Sequence, residues 1–426
     1  MRLRLPRMPR FIRKHAALFA LAAALIIILG TAADAFARKD NGTFYLKDIS
    51  GSREALNGVS IGGELSDGYQ RTAFAIRDGR LTSNTHLNEQ PKRVQPFMEF
   101  WTGGNRIPGW IYMAQIDSNQ IAISSYTANE LTGLWLISGK TSVNPQLEYP
   151  TKNKPVFTNE LPYGIAKIGD KVFFTPPVIA GTKGTGTIYE LTFYDWVLEM
   201  QNKLANYKAV PVVEYSLEPE EPSEANGIDV LGLEAVGDKL VLLSAENETL
   251  RIRSFDSASG SLLGEARLPD FRLNQMASDG DSYKPAYKAE SVDGENRLYL
   301  RFPGGPQLLL SVNLSNGVEL ENVARLNLED SEEEDYNSLT YMRERNGKLY
   351  VFRTTREQTD EKDLPNRLTF PWHGYVYAYD DSALLYQGEL VTDINDDLLE
   401  LLNRTDNGGF PDDSVRYRNF RKISIP

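Results

Sequence analysis

Residues Gly237–Ser244 read GDKLVLLS, a glycine and an aspartate followed by a lysine and an apolar run. Glycine beside aspartate or asparagine is typical of a tight turn, and the apolar run is typical of a buried β-strand. A closely similar order of residues begins at Gly169, Gly294 and Gly347. This recurrence predicts a protein made of repeated units, each with a strand that begins at a glycine turn.

Each repeated unit contains more than two strands. After Gly237, the segments Leu250–Asp256 and Ser261–Leu268 predict two further strands, and Gln307–Leu314 and Val318–Leu326 repeat them after the next glycine turn. Four short antiparallel strands that recur at intervals of roughly 50 to 70 residues are typical of the blades of a β-propeller. We therefore predict an all-β fold, a β-propeller of about six or seven four-stranded blades. A pair of two-sheet β-sandwiches is the alternative.

Two stretches resemble a known group of propellers. FDSASGSLLGEARLP (Phe255–Pro269) and VNLSNGVELENVARL (Val312–Leu326) each end a strand near Asp or Asn, turn at a glycine and begin another strand. In this they resemble blades of bacterial, exported quinoprotein-like and YVTN-like propellers, over Gly227–Leu328. The resemblance implies the fold but no cofactor, because the adjacent cysteines of quinone-dependent dehydrogenases are missing.

The first 37 residues differ in composition from the rest of the chain. Six basic side chains lie between Arg2 and Lys14, no charged side chain lies within Ala16–Gly30, and Ala35–Ala37 has the small-x-small pattern of a signal peptidase site. We predict an export signal over residues 1–37 or, without cleavage, a hydrophobic anchoring helix that spans the membrane with residues 16–33. In either case the positive-inside rule places residues 38–426, as a single domain, outside the cytoplasm, either secreted or at the cell surface.

Charge and cysteine content exclude several classes of protein. The leader carries six of the 46 basic and one of the 58 acidic residues, so its removal changes the formal charge from −12 to about −17. Such a charge repels phosphate backbones, so we expect no nucleic-acid partner. The chain has no cysteine, which excludes disulfides, thiolate metal sites and cysteine nucleophiles.

Two segments interrupt the strand pattern with helical spacing. Asp195–Tyr207 places Val197, Met200 and Leu204 near one face of a helix. Asn395–Asn403 has two aspartates in its first turn and leucines along a stripe, which suits the helix dipole. We predict two short helical insertions packed on the rim of the propeller, their apolar stripes serving as core contacts or, alternatively, as docking faces for a partner.

The sequence offers few residues for catalysis. Only three histidines are present, and His15 lies in the leader, which leaves His86 and His373. No Gly-x-Ser-x-Gly or His-Glu-x-x-His motif accompanies them. We therefore predict no catalytic residue, no metal site and no cofactor, and we expect a non-enzymatic protein. Carboxylate pairs drawn from separate blades would leave no local motif, so a glycoside hydrolase stays open.

Aromatic residues supply the candidate ligand contacts. Trp372 and His373 stand at the end of a stretch, from about Thr355 to Gly374, that is long enough to predict a functional loop, and Tyr375 follows directly after it. Tyr375 begins a set of three tyrosines that alternate along a strand. The alternative interpretation is a tyrosine ladder packed between blades, with the tryptophan as its lid.

Trp101 and Trp110 bracket the glycine turn Gly103–Arg106 and are the second set of candidates. Tryptophan on a glycine loop can stack on a sugar ring, although tryptophan more often fills a core. These residues favour a protein or carbohydrate ligand. We therefore expect a binding or scaffolding module at the cell surface. A propeller hydrolase that acts on polysaccharide and a sensory ectodomain that partners a membrane signalling protein are the alternatives.

Overall fold

The computed structural model describes residues 44–89, 107–128, 135–150, 163–194, 209–218, 227–271, 287–302, 307–326, 339–356, 372–392 and 419–426, except 67, 69, 108–109, 118–119 and 293. These residues are almost entirely β and form 25 strands and one 3₁₀-helix, Arg53–Leu56. No helix in these ranges is long and apolar enough to cross a membrane. The leader and the two predicted helical insertions, Asp195–Tyr207 and Asn395–Asn403, lie outside the described residues.

The strands form six antiparallel sheets within the described ranges, numbered here along the chain. Sheet 1 contains β2 (Ser60–Ser66), β3 (Gln70–Arg77), β4 (Arg80–Leu87) and β25 (Asn419–Ser424). Sheet 2 contains β5 (Trp110–Asp117), β6 (Gln120–Ala128) and β7 (Trp135–Val143). Sheet 3 contains β9 (Ile165–Ile168), β10 (Lys171–Phe174), β11 (Lys183–Leu191) and β12 (Val210–Ser216), with the short β8 (Leu147–Glu148) paired to β11.

Sheets 4, 5 and 6 continue the same pattern. Sheet 4 contains β13 (Ile228–Val236), β14 (Lys239–Glu246), β15 (Thr249–Asp256) and β16 (Leu262–Leu268). Sheet 5 contains β17 (Lys288–Ser291), β18 (Arg297–Phe302), β19 (Gln307–Asn313) and β20 (Glu319–Leu326). Sheet 6 contains β21 (Leu339–Arg345), β22 (Lys348–Arg356), β23 (Trp372–Asp380), β24 (Ala383–Thr392) and the N-terminal β1 (Phe44–Gly51).

The predicted glycine turns join the first two strands of their sheets. Gly237 stands between β13 and β14 with φ +61°, and Gly347 stands between β21 and β22 with φ +78°. Residues other than glycine, asparagine and aspartate rarely adopt this left-handed backbone conformation. This is why the turns are all built from glycine beside aspartate, asparagine or another polar residue. The strands predicted after Gly237 and Gly294 are confirmed as β15, β16, β19 and β20.

The interior strands bury both of their faces. In β14, Val241 and Leu243 pack in a core shared with sheet 5, whereas Leu240 and Leu242 pack in a core shared with sheet 3. Similar clusters join sheet 2 to sheet 3 and sheet 5 to sheet 6. Burial on both sides explains why GDKLVLLS is continuously apolar instead of alternating. A sandwich would bury one face of each sheet, so the alternative fold is wrong and the arrangement is that of a β-propeller.

The two ends of the described chain join sheet 1 to sheet 6. The C-terminal β25 pairs with β2 and completes sheet 1, while the N-terminal β1 pairs with β24 and becomes the fifth strand of sheet 6. Sheets 1 and 6 also share a core in which Phe74 packs on Phe352 at 5.7 Å and on Phe420 at 6.0 Å between ring centroids. First and last sheets are therefore joined by backbone pairing and by side-chain packing.

The described ends of the predicted loop Thr355–Gly374 belong to strands. Thr355 pairs with His373 and Arg356 pairs with Trp372, so both ends of this stretch belong to the hairpin of β22 and β23. Strand β23 begins directly after Pro371, which has no N–H to donate to a ladder. The aromatic alternation therefore begins within the strand, two residues before Tyr375, and the placement of His373 in a loop was wrong.

Candidate ligand-binding site

A cavity of about 780 Å³ lies where the first strands of neighbouring sheets end. Strand β13 contacts both β9 and β17, so these first strands surround a common space. We call this space the inner cavity. It is lined by Ile107, Ile165, Ala166, Lys167, Ile168, Gly169, Glu234, Ala235, Gly237, Ser291, Val292, Gly294, Glu295, Asn296 and Arg343.

The repeated glycine turns form part of the rim of the inner cavity. Gly169, Gly237 and Gly294 all line it, and each follows the first strand of its own sheet. Since the first strands of sheets 3, 4 and 5 all end at the cavity, the turns of successive sheets converge there. Across this rim the ammonium Nζ of Lys239 donates to Oδ1 of Asn296 at 3.4 Å, which links the turns of sheets 4 and 5.

Arg343 brings a fixed cation from sheet 6 to the inner cavity. Its guanidinium donates to Oε1 of Glu290 at 2.6 Å, donates to the carbonyl of Met342 at 2.7 Å and lies 5.2 Å from the ring centre of Tyr299. Burial alone would lower the pKa of Arg343, but the hydrogen bond and charge of Glu290 outweigh it, so the pKa is raised. The side chain is therefore charged and held in one orientation.

The acidic side chains of the inner cavity are also held by neighbours. Glu234 is only 1% exposed, and its Oε1 accepts a hydrogen bond from the Tyr287 hydroxyl at 2.6 Å. Gly232, two residues earlier in β13, has no side chain, and a Cβ there would collide with the Tyr287 hydroxyl. Glu295 forms an ion pair with Arg345 at 3.1 Å. The two carboxylates thus reach the cavity from sheets 4 and 5.

Lys167 differs from the other charged residues that line the cavity. Its ammonium Nζ lies 4.6 Å from the ring centre of Trp110, and no carboxylate of the described residues lies within ion-pair distance. Trp110 is itself half-buried, packs against the core of sheets 2 and 3 and stacks on Tyr112 at 6.0 Å. The indole therefore positions the ammonium group at the wall of the cavity.

The predicted ligand residues occupy two separate places. Trp110 lies beside the inner cavity through its contact with Lys167, whereas Trp101 lies outside the described residues. Trp372, His373 and Tyr375 all lie on β23 in sheet 6, and the side chain of Trp372 is not described. The ligand roles of these residues stay predictions.

The tyrosines of β23 form a ladder on one face of sheet 6. His373 stacks on Tyr375, Tyr375 lies next to Tyr377, and Tyr377 stacks on Tyr379, with 6.3 Å between successive ring centroids. Tyr377 and Tyr379 are buried in the core shared with sheet 5, and burial raises the pKa of Tyr377 to about 12. The Nδ1 atom of His373 lies 3.1 Å from Oε1 of Glu389. The ladder thus matches the packing alternative over most of its length.

Sequence reasoning did not identify Lys167, Glu234, Asn296 or Arg343. Each belongs to a different sheet, and nothing local in the sequence distinguishes them from surface residues near a turn. The repeated turn was the available signal, because in a ring of such units the turns after the first strands face one space. Within the described residues no group of three or more histidine, aspartate or glutamate side chains is placed to hold a metal ion.

Comparisons with known proteins give weak likenesses. No family model matches the chain, and no curated protein matches it. The β-propeller domain of the Trilobed protease from Pyrococcus furiosus is 12% identical with a TM-score of 0.24, over 66% of this chain and 72% of that one. The periplasmic gluconolactonase of Pseudomonas aeruginosa is 10% identical with a TM-score of 0.33, over 78% of this chain and 99% of that one.

A third solved structure, from a study of two prolyl endopeptidases, is 12% identical with a TM-score of 0.21. The likeness covers 81% of this chain and 51% of that one, so the chain spans about half the length of the endopeptidase. The propeller fold of this chain rests on its own sheets and on the cores that they share.

Proposed function

We propose that this chain is an exported β-propeller of six blades, one for each described sheet, that binds a small polar ligand in the inner cavity. It acts as a binding module at the cell surface. The observation that carries the proposal is the cavity itself, whose wall combines apolar side chains of β9 with charged and amide groups from other sheets. Concave sites with a few oriented polar groups are the usual form of small-molecule sites.

The polar groups of the cavity are oriented before any ligand arrives. Arg343 is held by Glu290 and by the ring of Tyr299, and Glu234 is held by the Tyr287 hydroxyl. A side chain that is already fixed loses little conformational freedom when a ligand binds, which favours affinity and selectivity. The similarity of the repeated stretches to blades of quinoprotein-like and YVTN-like propellers, which are exported, is in keeping with this role.

The binding proposal is tested with purified full-length protein and a panel of small sugars and amino-acid derivatives. Thermal shift and calorimetry should identify at least one ligand.

Asn296→Ala should weaken the binding of this ligand roughly two- to tenfold, since one lost hydrogen bond is worth about 0.5–1.5 kcal/mol. Asn296 is an exposed lining residue, so this variant should fold. Asn84→Ala, which changes an exposed asparagine on β4 that does not line the cavity, is the control. Equal effects of the two substitutions would refute the cavity as the site.

A polysaccharide hydrolase is the second candidate, because Glu234 and Glu295 line one cavity. Glycoside hydrolases use two carboxyl groups on opposite sides of the scissile bond. Under this candidate the full-length protein releases reducing ends from polysaccharide, and Glu234→Gln abolishes the release. Binding of sugars without any release, by protein with intact Glu234, excludes the hydrolase and leaves the binding module.

Export is tested by mass spectrometry of the N-terminus of the mature protein. Cleavage after Ala37 would yield a free extracytoplasmic protein. The basic residues at the start of the chain and the apolar run after them are typical of an export signal and support this outcome. Retention of residues 16–33 would instead favour a tethered propeller and give weight to the role of a sensory ectodomain. Protein that is intact and found only in the cytoplasm would overturn the proposed location.

A further inference from the structure

The geometry points to Lys167 as the residue that receives a carboxylate group of the ligand, so that the inner cavity takes small monoanionic carboxylates in preference to neutral molecules. This inference rests on the proposed function, since it assigns a ligand class to the same cavity. In this role Trp110 positions Lys167 and does not serve as a platform for a sugar.

Most charged side chains around the cavity already have a partner. Arg343 forms an ion pair with Glu290, Glu295 forms one with Arg345, and Glu234 accepts a hydrogen bond from Tyr287. Among the described residues that line the cavity, Lys167 is the cation whose charge meets an aromatic ring instead of a carboxylate. An anion that enters the cavity can therefore pair with Lys167 without displacing a carboxylate of the described residues.

Lys167 has apolar neighbours in the cavity wall. Ile165 and Ile168 belong to the same strand and line the cavity with it, and Ile107 lines it beside Trp110. Apolar neighbours lower the local dielectric constant, so a charge pair formed there is stronger than one in open water. The ammonium group of Lys167 carries three N–H donors. The face of the Trp110 ring attracts its positive charge but does not occupy all three donors, so donors are left for a ligand.

The other charged side chains of the cavity limit the kind of anion that fits. Glu234 and Glu295 also line the cavity, and their charges repel a ligand that carries two negative charges, such as a phosphate monoester. A lysine offers a point charge and not the bidentate fork with which arginine binds phosphate. Two carboxylates and one cation that contacts an aromatic ring instead of a carboxylate, Lys167, fit a ligand with a single carboxylate and a remainder that is neutral and able to form hydrogen bonds.

The experiment uses full-length protein and three matched pairs of probes. Each pair contains a carboxylate and a neutral counterpart of similar size: galacturonate and galactose, lactate and lactamide, and N-acetylalanine and its amide. We expect at least one carboxylate to bind roughly tenfold more tightly than its neutral counterpart, as measured by calorimetry. Quenching of tryptophan fluorescence that is absent in Trp110→Phe would place the bound carboxylate near Lys167.

Variants of two lysines in sheet 3 test the role of the ammonium group. Lys167→Gln should remove the preference for the carboxylate over its neutral counterpart, and Lys167→Arg should restore part of this preference. Lys171→Gln is the matched control, because Lys171 is an exposed lysine on β10 whose partner is Glu190 at 2.7 Å. Trp110→Leu should reduce the preference without abolishing it, since the ring positions the charge.

The outcomes separate this inference from the proposed function. If neutral and anionic members bind equally, or if Lys167→Gln binds the carboxylate as the unaltered protein does, Lys167 is not the carboxylate-binding group although the cavity still binds ligands. If a phosphate monoester such as galactose 6-phosphate binds more tightly than galacturonate, the assigned ligand class is wrong. If no probe of any charge binds, both the inference and the binding module are rejected.

Discussion

Single residues decide whether the groups of the inner cavity stay in place. Gly232 is the clearest case, because it lies in a buried stretch of β13 at a point where the register with β14 shifts by a residue. Its missing side chain gives room to the Tyr287 hydroxyl, which in turn holds Glu234. The position of the Glu234 carboxylate therefore depends on the absence of a side chain at Gly232.

We expect Gly232→Ala to lower the free energy of unfolding by about 1–3 kcal/mol, because the new methyl group overpacks a buried site. Ligand binding should weaken as well, since Tyr287 must move away from Glu234. Urea unfolding and calorimetry measure the two effects. Gly62→Ala is the matched control: Gly62 also lies at a register shift, yet a Cβ there meets its nearest atom at 3.6 Å. An unchanged stability of Gly232→Ala would show that Tyr287 is not confined as described.

Strand β1 is an element whose attachment depends on one charged cluster as well as on backbone pairing. Asp48 of β1 accepts a hydrogen bond from the Tyr386 hydroxyl of β24 at 2.7 Å and one from Arg53 at 2.8 Å. The hydrogen bond from Tyr386, opposed by partial burial and supported by Arg53, lowers the pKa of Asp48 below its ordinary value. The charged form of Asp48 therefore contributes to the docking of β1.

The sign of this contribution gives a pH dependence. Because the folded pKa is lowered, the stabilisation is complete above the unfolded pKa of about 3.9 and disappears as the pH falls through the folded pKa. Asp48→Asn should lower the free energy of unfolding by about 0.5–1 kcal/mol at pH 7, a modest value because the side chain is half-exposed. Below the folded pKa of Asp48 the variant and the unaltered protein should converge.

Urea titrations at several pH values measure this difference. Asp381→Asn, at an exposed turn after β23, serves as the control and should change stability little at any pH. A deficit of Asp48→Asn that persists undiminished in acid would mean that the charge of Asp48 does not hold β1.

Elements were predicted from the sequence more successfully than the site was. The glycine turn and the apolar run of Gly237–Ser244 identified β14 because a strand buried on both faces cannot be polar on either. The loop near His373 was misplaced because aromatic side chains suit a loop platform and a strand equally well. The inner cavity escaped because Lys167 and Glu234 lie in different sheets, and their approach depends on the angle at which sheets pack, which no local pattern encodes.

The whole molecule is held together by cores that belong to two sheets at once. Phe420 on β25 is 3% exposed and packs against Phe74 of sheet 1 and Phe352 of sheet 6, at 6.0 and 5.5 Å between ring centroids. Since sheets 2 to 5 share cores with their successors and sheet 6 shares one with sheet 1, loss of one contact at the junction weakens structures far from it. We therefore expect the ring to unfold as one unit.

Phe420→Ala should lower the free energy of unfolding by about 3–5 kcal/mol, the usual cost of removing a buried phenyl group. Circular dichroism and tryptophan fluorescence should report one midpoint, shifted equally in both signals. Lys422→Ala, two residues further along β25, changes an exposed side chain and should have little effect. Two separate midpoints in Phe420→Ala would mean that the sheets unfold independently.

The pairing of β25 with β2 and of β1 with β24 affects how the protein folds during its synthesis. Lys47 and Glu389 meet although 342 positions separate them, and Lys422 meets Glu64 across 358 positions. A ribosome delivers the N-terminal members of these pairs first, so β1 and the outer edge of β2 remain without partners until β24 and β25 have been synthesised. A shortened product that lacks β24 and β25 would keep both edges open to other chains, so the synthesis of these two strands protects the protein from aggregation.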